Sequence, residues 1–241
     1  MGTFSATANS GSTIGYAQYG SSSWSTGSSS GACQGAYQGT TAAKSRVGVM
    51  VFNGAGAALK GKLIQSITLT ITSSGAGSGS SSKKLTFCQA NYQSLNTGVR
   101  GSAQVGATLG TLTGKFYSNT VTHTLNASSN AALFNAMKAY FEAGNSVLVL
   151  YNGETSSSSG YSSNYARVTS CTISVTYIDA VVWYRDGSTW RQCTVWYRLN
   201  GAGTAYQVGD KVTFNGVHYI CRLPHCVWSL ADYPIGWQKQ A

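Results

Sequence analysis

The sequence feature that most constrains the fold is a period of two in the apolar residues, interrupted by stretches of glycine, serine and asparagine. The clearest run places Ile67, Leu69 and Ile71 at alternating positions, with a threonine between each pair. Successive side chains of a β-strand point to opposite faces, so this period predicts a strand with one buried face. Residues 168–177 repeat the pattern. The alternation therefore predicts an all-β fold.

Other segments carry the same signal in shorter form. Strands are predicted at residues 47–52, 85–88 and 147–151, and two more within 105–125. Residues 1–42 are rich in serine, glycine and threonine, but they also contain tyrosines and a tryptophan, which tails without a core rarely have. We therefore interpret this segment as short strands joined by long loops. The tyrosines and the tryptophan of this segment are Tyr16, Tyr19, Trp24 and Tyr37.

One segment has helical rather than strand spacing. Ser128 or Ser129 can cap the start of this helix, and Gly144 is suited to its end. Together with the strands, the helix predicts an antiparallel β-sandwich of jelly-roll type with one helix, formed by residues 1–178. The apolar residues at i, i+4, i+7 and i+8 of the helix are Leu133, Met137, Tyr140 and Phe141.

A shift in composition predicts a second domain at residues 180–241. Five of the six tryptophans lie after residue 180. The tetrapeptide Val-Trp-Tyr-Arg occurs at residues 182–185 and again at 195–198, and a turn signal follows each copy. This region is therefore predicted to be a small aromatic-rich β-hairpin module.

The strongest turn signal of the chain is Asn215-Gly216, because a two-residue type I′ turn needs positive φ at both positions. Val212 and Phe214 alternate with polar residues before it, and Val217, Tyr219 and Cys221 alternate after it. A β-hairpin is therefore predicted here.

This stretch resembles the chitin-binding modules of carbohydrate-binding families 5 and 12. The resemblance covers residues 206–237, and after His225 the chain continues Cys-Val-Trp where the family has Thr-Ser. It implies a small scaffold with Tyr206 and Tyr219 in its core. The motif is carried by Tyr206, Gly209, Asp210, Val212, Asn215, Gly216, Tyr219, Cys221, Pro224, His225, Pro234 and Trp237.

The resemblance also implies a binding site, because Trp237 occupies the position of the family's exposed stacking residue. Aromatic rings offer a large, electron-rich face on which the apolar face of a sugar can stack. We therefore predict a carbohydrate-binding set of Trp237, Trp228, Tyr233 and His225. The alternative is that so small a module uses its aromatic residues to build a core.

Charge and motifs argue against several other functions. The net charge is +10, but the basic residues are scattered and only Lys83 and Lys84 are adjacent, so no nucleic-acid partner is predicted. Only six acidic residues are present and nothing pairs two of them for glycoside hydrolysis. His218 and Cys221 differ by three positions on a strand, which places them on opposite faces and disfavours zinc. We predict no enzyme, metal, cofactor or membrane partner.

The thiols divide into two groups. Cys88 and Cys171 lie in strand patterns and are predicted to be buried and free, because cysteine behaves as a small apolar residue. Cys193 could pair with Cys221 or Cys226 in an oxidising compartment, and this stays open.

These observations favour a non-enzymatic glycan-binding adhesin, with a phage or prophage virion as its location. Residues 1–178 also resemble domains of the DNRLRE type found in surface and tail proteins, through Gln34, Tyr37 and an Arg-Val-Gly strand at Arg46. The expected partners are a polysaccharide and other virion proteins, and a homo-oligomer is possible. The alternatives are the accessory carbohydrate-binding region of a secreted polysaccharide hydrolase, and a purely structural virion protein.

The predicted boundary can be tested by limited proteolysis. Cleavage is expected near Asp179, leaving two fragments that resist further digestion, because each domain should bury its own core. The fragments are identified by mass spectrometry. Digestion in which no intermediate fragment accumulates would contradict two separately folded domains.

Overall fold

The computed structural model describes residues 1–9, 11–27, 30–37, 42–75, 82–155 and 160–179, and beyond them the backbone of five strands within residues 181–239. The chain divides into two compact units. One consists of Gly2–Lys60 and Ile64–Tyr177, and the other of Met1, Gly61–Leu63 and Ile178–Ala241. Of the helices in the described ranges, none has the length and apolar character needed to cross a membrane.

The first unit is built almost entirely of antiparallel strands. Eleven of them form a connected set, in which β11 extends to Asp179. In chain order they are β1 Gly2–Asn9, β2 Gly11–Gln18, β3 Trp24–Gly27, β4 Ala32–Ala36, β5 Ser45–Val51, β6 Lys62–Ser73, β7 Lys83–Ala90, β8 Val105–Gly114, β9 Thr120–Leu125, β10 Val147–Leu150 and β11 Ala166–Asp179.

The pairing order is that of a jelly roll. One sheet has the order β1-β11-β6-β9, and the other has the order β5-β10-β7-β8 with β2 and β3 added beyond β5. The chain crosses repeatedly from one sheet to the other, as a jelly roll requires. Strand β4 joins the two sheets, because Ala32–Gln34 pair with β11 while Gly35 and Ala36 pair with β5. The all-β, jelly-roll prediction is confirmed.

Both sheets contribute to one apolar core. Ile67, Leu69 and Ile71 of β6 are at most 1% exposed, and they share this core with Phe87 of β7 and Ile173 of β11. The threonines of β6 face outward, where their hydroxyls form hydrogen bonds with the threonines of β9. The alternation in the sequence thus separates a buried face from a hydroxyl-lined face.

The central strands β5 and β10 of the second sheet are buried on both faces. Val49 of β5, Cys88 of β7 and Val149 of β10 form a second cluster on its outer side. Trp24 packs against this cluster, and its indole N–H donates a hydrogen bond to the carbonyl of Val99 at 2.8 Å. The segment 1–42 was predicted as short strands with long loops, but it contains two strands of eight residues, β1 and β2. Its residues Tyr19 and Trp24 cover part of the outer side of the second sheet.

The predicted helix is α3, Ala131–Glu142, and it packs Leu133, Met137 and Phe141 into the core. Its N-cap is Asn130, so the prediction of Ser128 or Ser129 is wrong. The amides of both serines instead donate to the side-chain oxygen of Asn126. The structure adds α1 Ala55–Leu59, α2 Gly101–Gln104 and a 3-10 turn at Ala42–Lys44 to the single helix predicted.

Three cysteines of this unit, Cys33, Cys88 and Cys171, are free and buried, as predicted for the last two. Burial raises the pKa of Cys33 to about 11 and that of Cys171 to about 12, and it also raises the pKa of Cys88.

The thiolate is the form of cysteine that reacts with alkylating reagents, so these three residues should be labelled slowly in the folded protein at pH 8. For Cys33, the raised pKa alone should make labelling about 100-fold slower than that of a thiol with the ordinary pKa. Alkylation followed by peptide mass mapping measures each site, with the unfolded chain as control. Fast native labelling of Cys88 and Cys171 would contradict their place in the core.

Candidate functional site

The C-terminal unit contains two sets of paired strands. The first is the hairpin of β12 Val181–Asp186 and β13 Thr189–Thr194. The second is a three-stranded sheet of β14 Lys211–Phe214, β15 Val217–Cys221 and β16 Trp237–Lys239, in the order β14-β15-β16. Phe214 is the register partner of Val217, so two residues connect β14 and β15. This confirms the hairpin predicted around Asn215-Gly216, which itself lies outside the described residues.

Trp237 begins β16 and stands opposite Cys221 in the antiparallel register. Directly opposed residues of an antiparallel pair lie on the same face of the sheet. The position of Trp237 therefore shares a face with the alternating apolar positions of the motif, which include 212, 219 and 221. Three other predicted binding residues, His225, Trp228 and Tyr233, lie outside the described residues. The predicted pairing of Cys193 with Cys221 or Cys226 stays a prediction.

A row of three tyrosines lies on the jelly roll, and sequence reasoning did not identify it. The ring of Tyr161 is 4.7 Å from that of Tyr37 and 4.3 Å from that of Tyr165, measured between centroids. Tyr37 and Tyr161 are 38% and 41% exposed, whereas Tyr165 is 6% exposed. We call these three residues the tyrosine row. It has two accessible rings in front of a buried one.

Local backbone pairing holds the row in place. Tyr37 and Tyr161 form an antiparallel bridge. Next to it, the amide of Ser162 donates to the carbonyl of Ala36, and the amide of Ala36 donates to the hydroxyl of Ser162. Behind the row, Tyr165 packs with Cys33 and Tyr16, and the guanidinium of Arg46 lies 5.0 Å from the ring centre of Tyr16. The backbone thus fixes the side chains of two distant segments next to each other.

The carboxylate of Glu154 organises the segment that carries Tyr161 and Tyr165. It accepts hydrogen bonds from the hydroxyls of Ser162 and Ser163, and from both the amide and the side chain of Asn164. Burial raises the pKa of Glu154, but these hydrogen bonds outweigh burial and leave the pKa below its usual value. Glu154 is therefore ionised at neutral pH, and its acceptor sites are occupied within the protein.

Lys83 is a second charged group behind the row. Its side chain is buried, and its ammonium donates a hydrogen bond of 2.6 Å to the carbonyl of Tyr165. It also lies 5.7 Å from the ring centre of Tyr117. Burial lowers the pKa of Lys83, and the charge of Glu154 acts in the opposite direction. Lys83 therefore binds the backbone of Tyr165 on the buried side of the row, and its side chain is not accessible to solvent.

Nothing in the sequence pairs Tyr37 with Tyr161. The two residues are far apart along the chain, and each is surrounded by small and polar residues without an apolar pattern. The one available signal was the presence of aromatic residues in polar, turn-rich segments, which predicted order but not a partner.

Replacing Glu154 by Gln should destabilise the jelly roll by about 1–3 kcal/mol at pH 7, because charge-assisted hydrogen bonds are lost and donors are left facing an amide. A carboxylate with a lowered pKa stabilises the fold above its unfolded pKa of about 4.3, and this contribution is lost as the pH falls through the folded value. The difference from wild type should therefore shrink in acid. Denaturant unfolding at pH 7 and at acidic pH measures it.

Ser163→Ala serves as the graded control for this experiment, since it removes only one donor to Glu154. It should cost less than Glu154→Gln. Equal stability of Glu154→Gln and wild type at pH 7 would contradict the role of the carboxylate.

Comparison with known proteins identifies one family. Residues 201–234 match the model of carbohydrate-binding module family 5/12, which covers the β14–β15 hairpin. The resemblance of residues 1–178 to DNRLRE domains finds no support in these comparisons. No curated protein matches the chain. The chain is thus similar to this module family over its C-terminal hairpin region.

Proposed function

We propose that the chain is a non-enzymatic glycan-binding adhesin whose C-terminal module contacts an insoluble polysaccharide. The observation that carries this proposal is the match of residues 201–234 to a carbohydrate-binding module family. In the β14–β15–β16 sheet, Trp237 is paired opposite Cys221 of the motif, so the last strand belongs to the same small sheet as the hairpin. Stacking of Trp237, with Trp228, Tyr233 and His225 nearby in sequence, would supply the contact.

The finer part of the proposal places the protein in a phage or prophage virion, as a tail, baseplate or head-fibre component. Its support is indirect. Charged residues make up only 9% of the chain, and glycine, serine and threonine fill its turns. This composition suits an extended particle surface more than an intracellular enzyme. Detection of the chain by immunoblot in purified particles tests the assignment.

A second candidate is the accessory carbohydrate-binding region of a secreted polysaccharide hydrolase. The family match favours it equally, since the resembling modules occur on chitinases. A protein of this kind would be found in the culture medium attached to a catalytic domain. Recovery of such a longer product, with no chain in purified particles, would replace the virion assignment.

Trp237→Ala is the direct test of the binding site. If Trp237 is a stacking platform, the variant should lose adsorption to colloidal chitin, peptidoglycan or whole cell walls, with little change in Tm. If Trp237 instead belongs to the apolar face that its register suggests, truncation should cost about 3–5 kcal/mol and unfold the module. Pull-downs and thermal melts of the same samples separate the two outcomes.

Trp228→Ala is measured in parallel, because Trp228 lies where the chain departs from the family pattern. Unchanged adsorption by both folded variants would contradict the proposed site. Failure of the wild type to adsorb to any of the polymers would leave the purely structural role as the better interpretation.

A further inference from the structure

We propose that the tyrosine row is a second carbohydrate-binding surface, located on the jelly roll and specific for a neutral pyranose ring. The inference rests on the proposed function in one respect only, namely that the chain meets polysaccharide. It concerns residues that no family match covers, since the match begins at residue 201. Tyr37 and Tyr161 supply the exposed aromatic surface, with Tyr37 as the outer ring of the row, and Tyr165 is a positioning residue on the buried side of Tyr161.

The first argument is exposure. Large apolar side chains of the described residues are mostly buried, and Tyr37, Tyr92 and Tyr161 are the exposed tyrosines among them. Two of these three come together in the tyrosine row, with centroids 4.7 Å apart and planes tilted by 37°. Single exposed aromatics are ordinary at protein surfaces, whereas two exposed rings in contact, backed by a buried ring, form a continuous aromatic surface.

The second argument is rigidity. Ordering a flexible side chain on binding costs free energy, and a platform fixed beforehand avoids that cost. The Tyr37–Tyr161 bridge, the reciprocal hydrogen bonds between Ala36 and Ser162, and the Glu154 carboxylate all fix the segments that carry the rings. The segments that carry both exposed rings are thus held in place, and the rings themselves contact each other.

The third argument concerns the class of ligand. The carboxylate of Glu154 has its acceptor sites filled by Ser162, Ser163 and Asn164, and the ammonium of Lys83 is buried. The guanidinium of Arg46 lies over the ring of Tyr16. The charges of Glu154 and Lys83 are therefore engaged within the protein, and the row itself offers aromatic surface and phenolic hydroxyls. Such a surface complements the C–H face and hydroxyls of an uncharged sugar better than an ionic ligand.

A second weak site would have a clear use. Two sites that engage the same polymer convert the second contact into an intramolecular one, so the combined affinity exceeds either alone. Modest stacking at the tyrosine row would then strengthen attachment through the C-terminal module.

The experiment measures adsorption of the full chain to colloidal chitin, microcrystalline cellulose and purified peptidoglycan. The variants are Tyr37→Ala, Tyr37→Ala with Tyr161→Ala, Trp237→Ala, and the combination of all three. Tyr92→Ala is the matched control, because Tyr92 is similarly exposed, at 37%. The first residues of β7 lie beside the row, since the amide of Lys84 donates a hydrogen bond to the side chain of Asn164. Tyr92 follows the other end of that strand. Substitution of Tyr37 and Tyr161 by Phe keeps the rings and should retain adsorption.

We expect the double alanine variant to bind roughly 2- to 12-fold more weakly than wild type, the range of aromatic pair energies. Tyr92→Ala should bind like wild type. Residual adsorption of Trp237→Ala should disappear when the tyrosine substitutions are added. Unchanged adsorption by the folded tyrosine variants, with binding lost in Trp237→Ala, would overturn the second surface and leave the proposed function intact. Loss only in the tyrosine variants would support the second surface and contradict the Trp237 site.

A measurement without substitutions guards against misfolded variants. Nitration of exposed tyrosines by tetranitromethane, read by peptide mass mapping, should slow at Tyr37 and Tyr161 in the presence of the adsorbing polymer and not at Tyr92. Equal nitration with and without polymer would overturn the proposal, as would a wild type that adsorbs to none of the three polymers.

Discussion

The ladder between the first and last strands of the jelly roll is the constraint on which the rest of this unit depends. Strand β1 pairs with β11 over its whole length, from Gly2 opposite Tyr177 to Asn9 opposite Ser170. Beyond the end of β1, the same strand β11 pairs with β4, which also joins β5 of the other sheet. One long strand thus connects the chain's beginning, the second sheet and the core. Non-local pairing of this kind closes the sandwich only when both ends of the unit are present.

Close approach of the two sheets at β4 imposes a residue-specific requirement. Gly48 of β5 lies against β4, where an added Cβ would be 2.6 Å from the amide nitrogen of Cys33. Only glycine fits at that distance. The side chain of Gln34 then links β4 to the edge of β7, because its amide donates to the carbonyl of Lys84 and its oxygen accepts from the amide of Thr86. These contacts provide hydrogen-bond partners for the carbonyl of Lys84 and the amide of Thr86 at the junction. Tyr37 follows directly after the last residue of β4.

The period of two was sufficient to predict β6 and β11, because each has one core face and one face lined by threonine or serine. It was less informative for β5 and β10, since both of their faces are buried and their sequences are nearly continuous apolar runs. The N-cap of α3 was mispredicted because Asn126 captures the amides of Ser128 and Ser129. The pairing of Tyr161 with Tyr37 depends on tertiary structure, which local pattern does not encode. In the module, motif spacing predicted the hairpin register, while family likeness alone suggested the role of Trp237.

The two candidate surfaces differ in how their aromatic rings are supported, and this difference determines what each can contribute to binding. On the jelly roll, the packing of Tyr165 against Cys33 and Tyr16 and the Glu154 hydrogen bonds support the tyrosine row, so truncation of the exposed Tyr37 leaves this support in place. In the module, Trp237 belongs to the final strand of a three-stranded sheet, and a small domain has few other residues from which to build a core. At these two proposed surfaces, binding and folding should therefore be separable on the jelly roll and coupled in the module. Weak glycan contacts at the tyrosine row would therefore add to the attachment made by the module, and changes to those contacts would not destabilise the jelly roll.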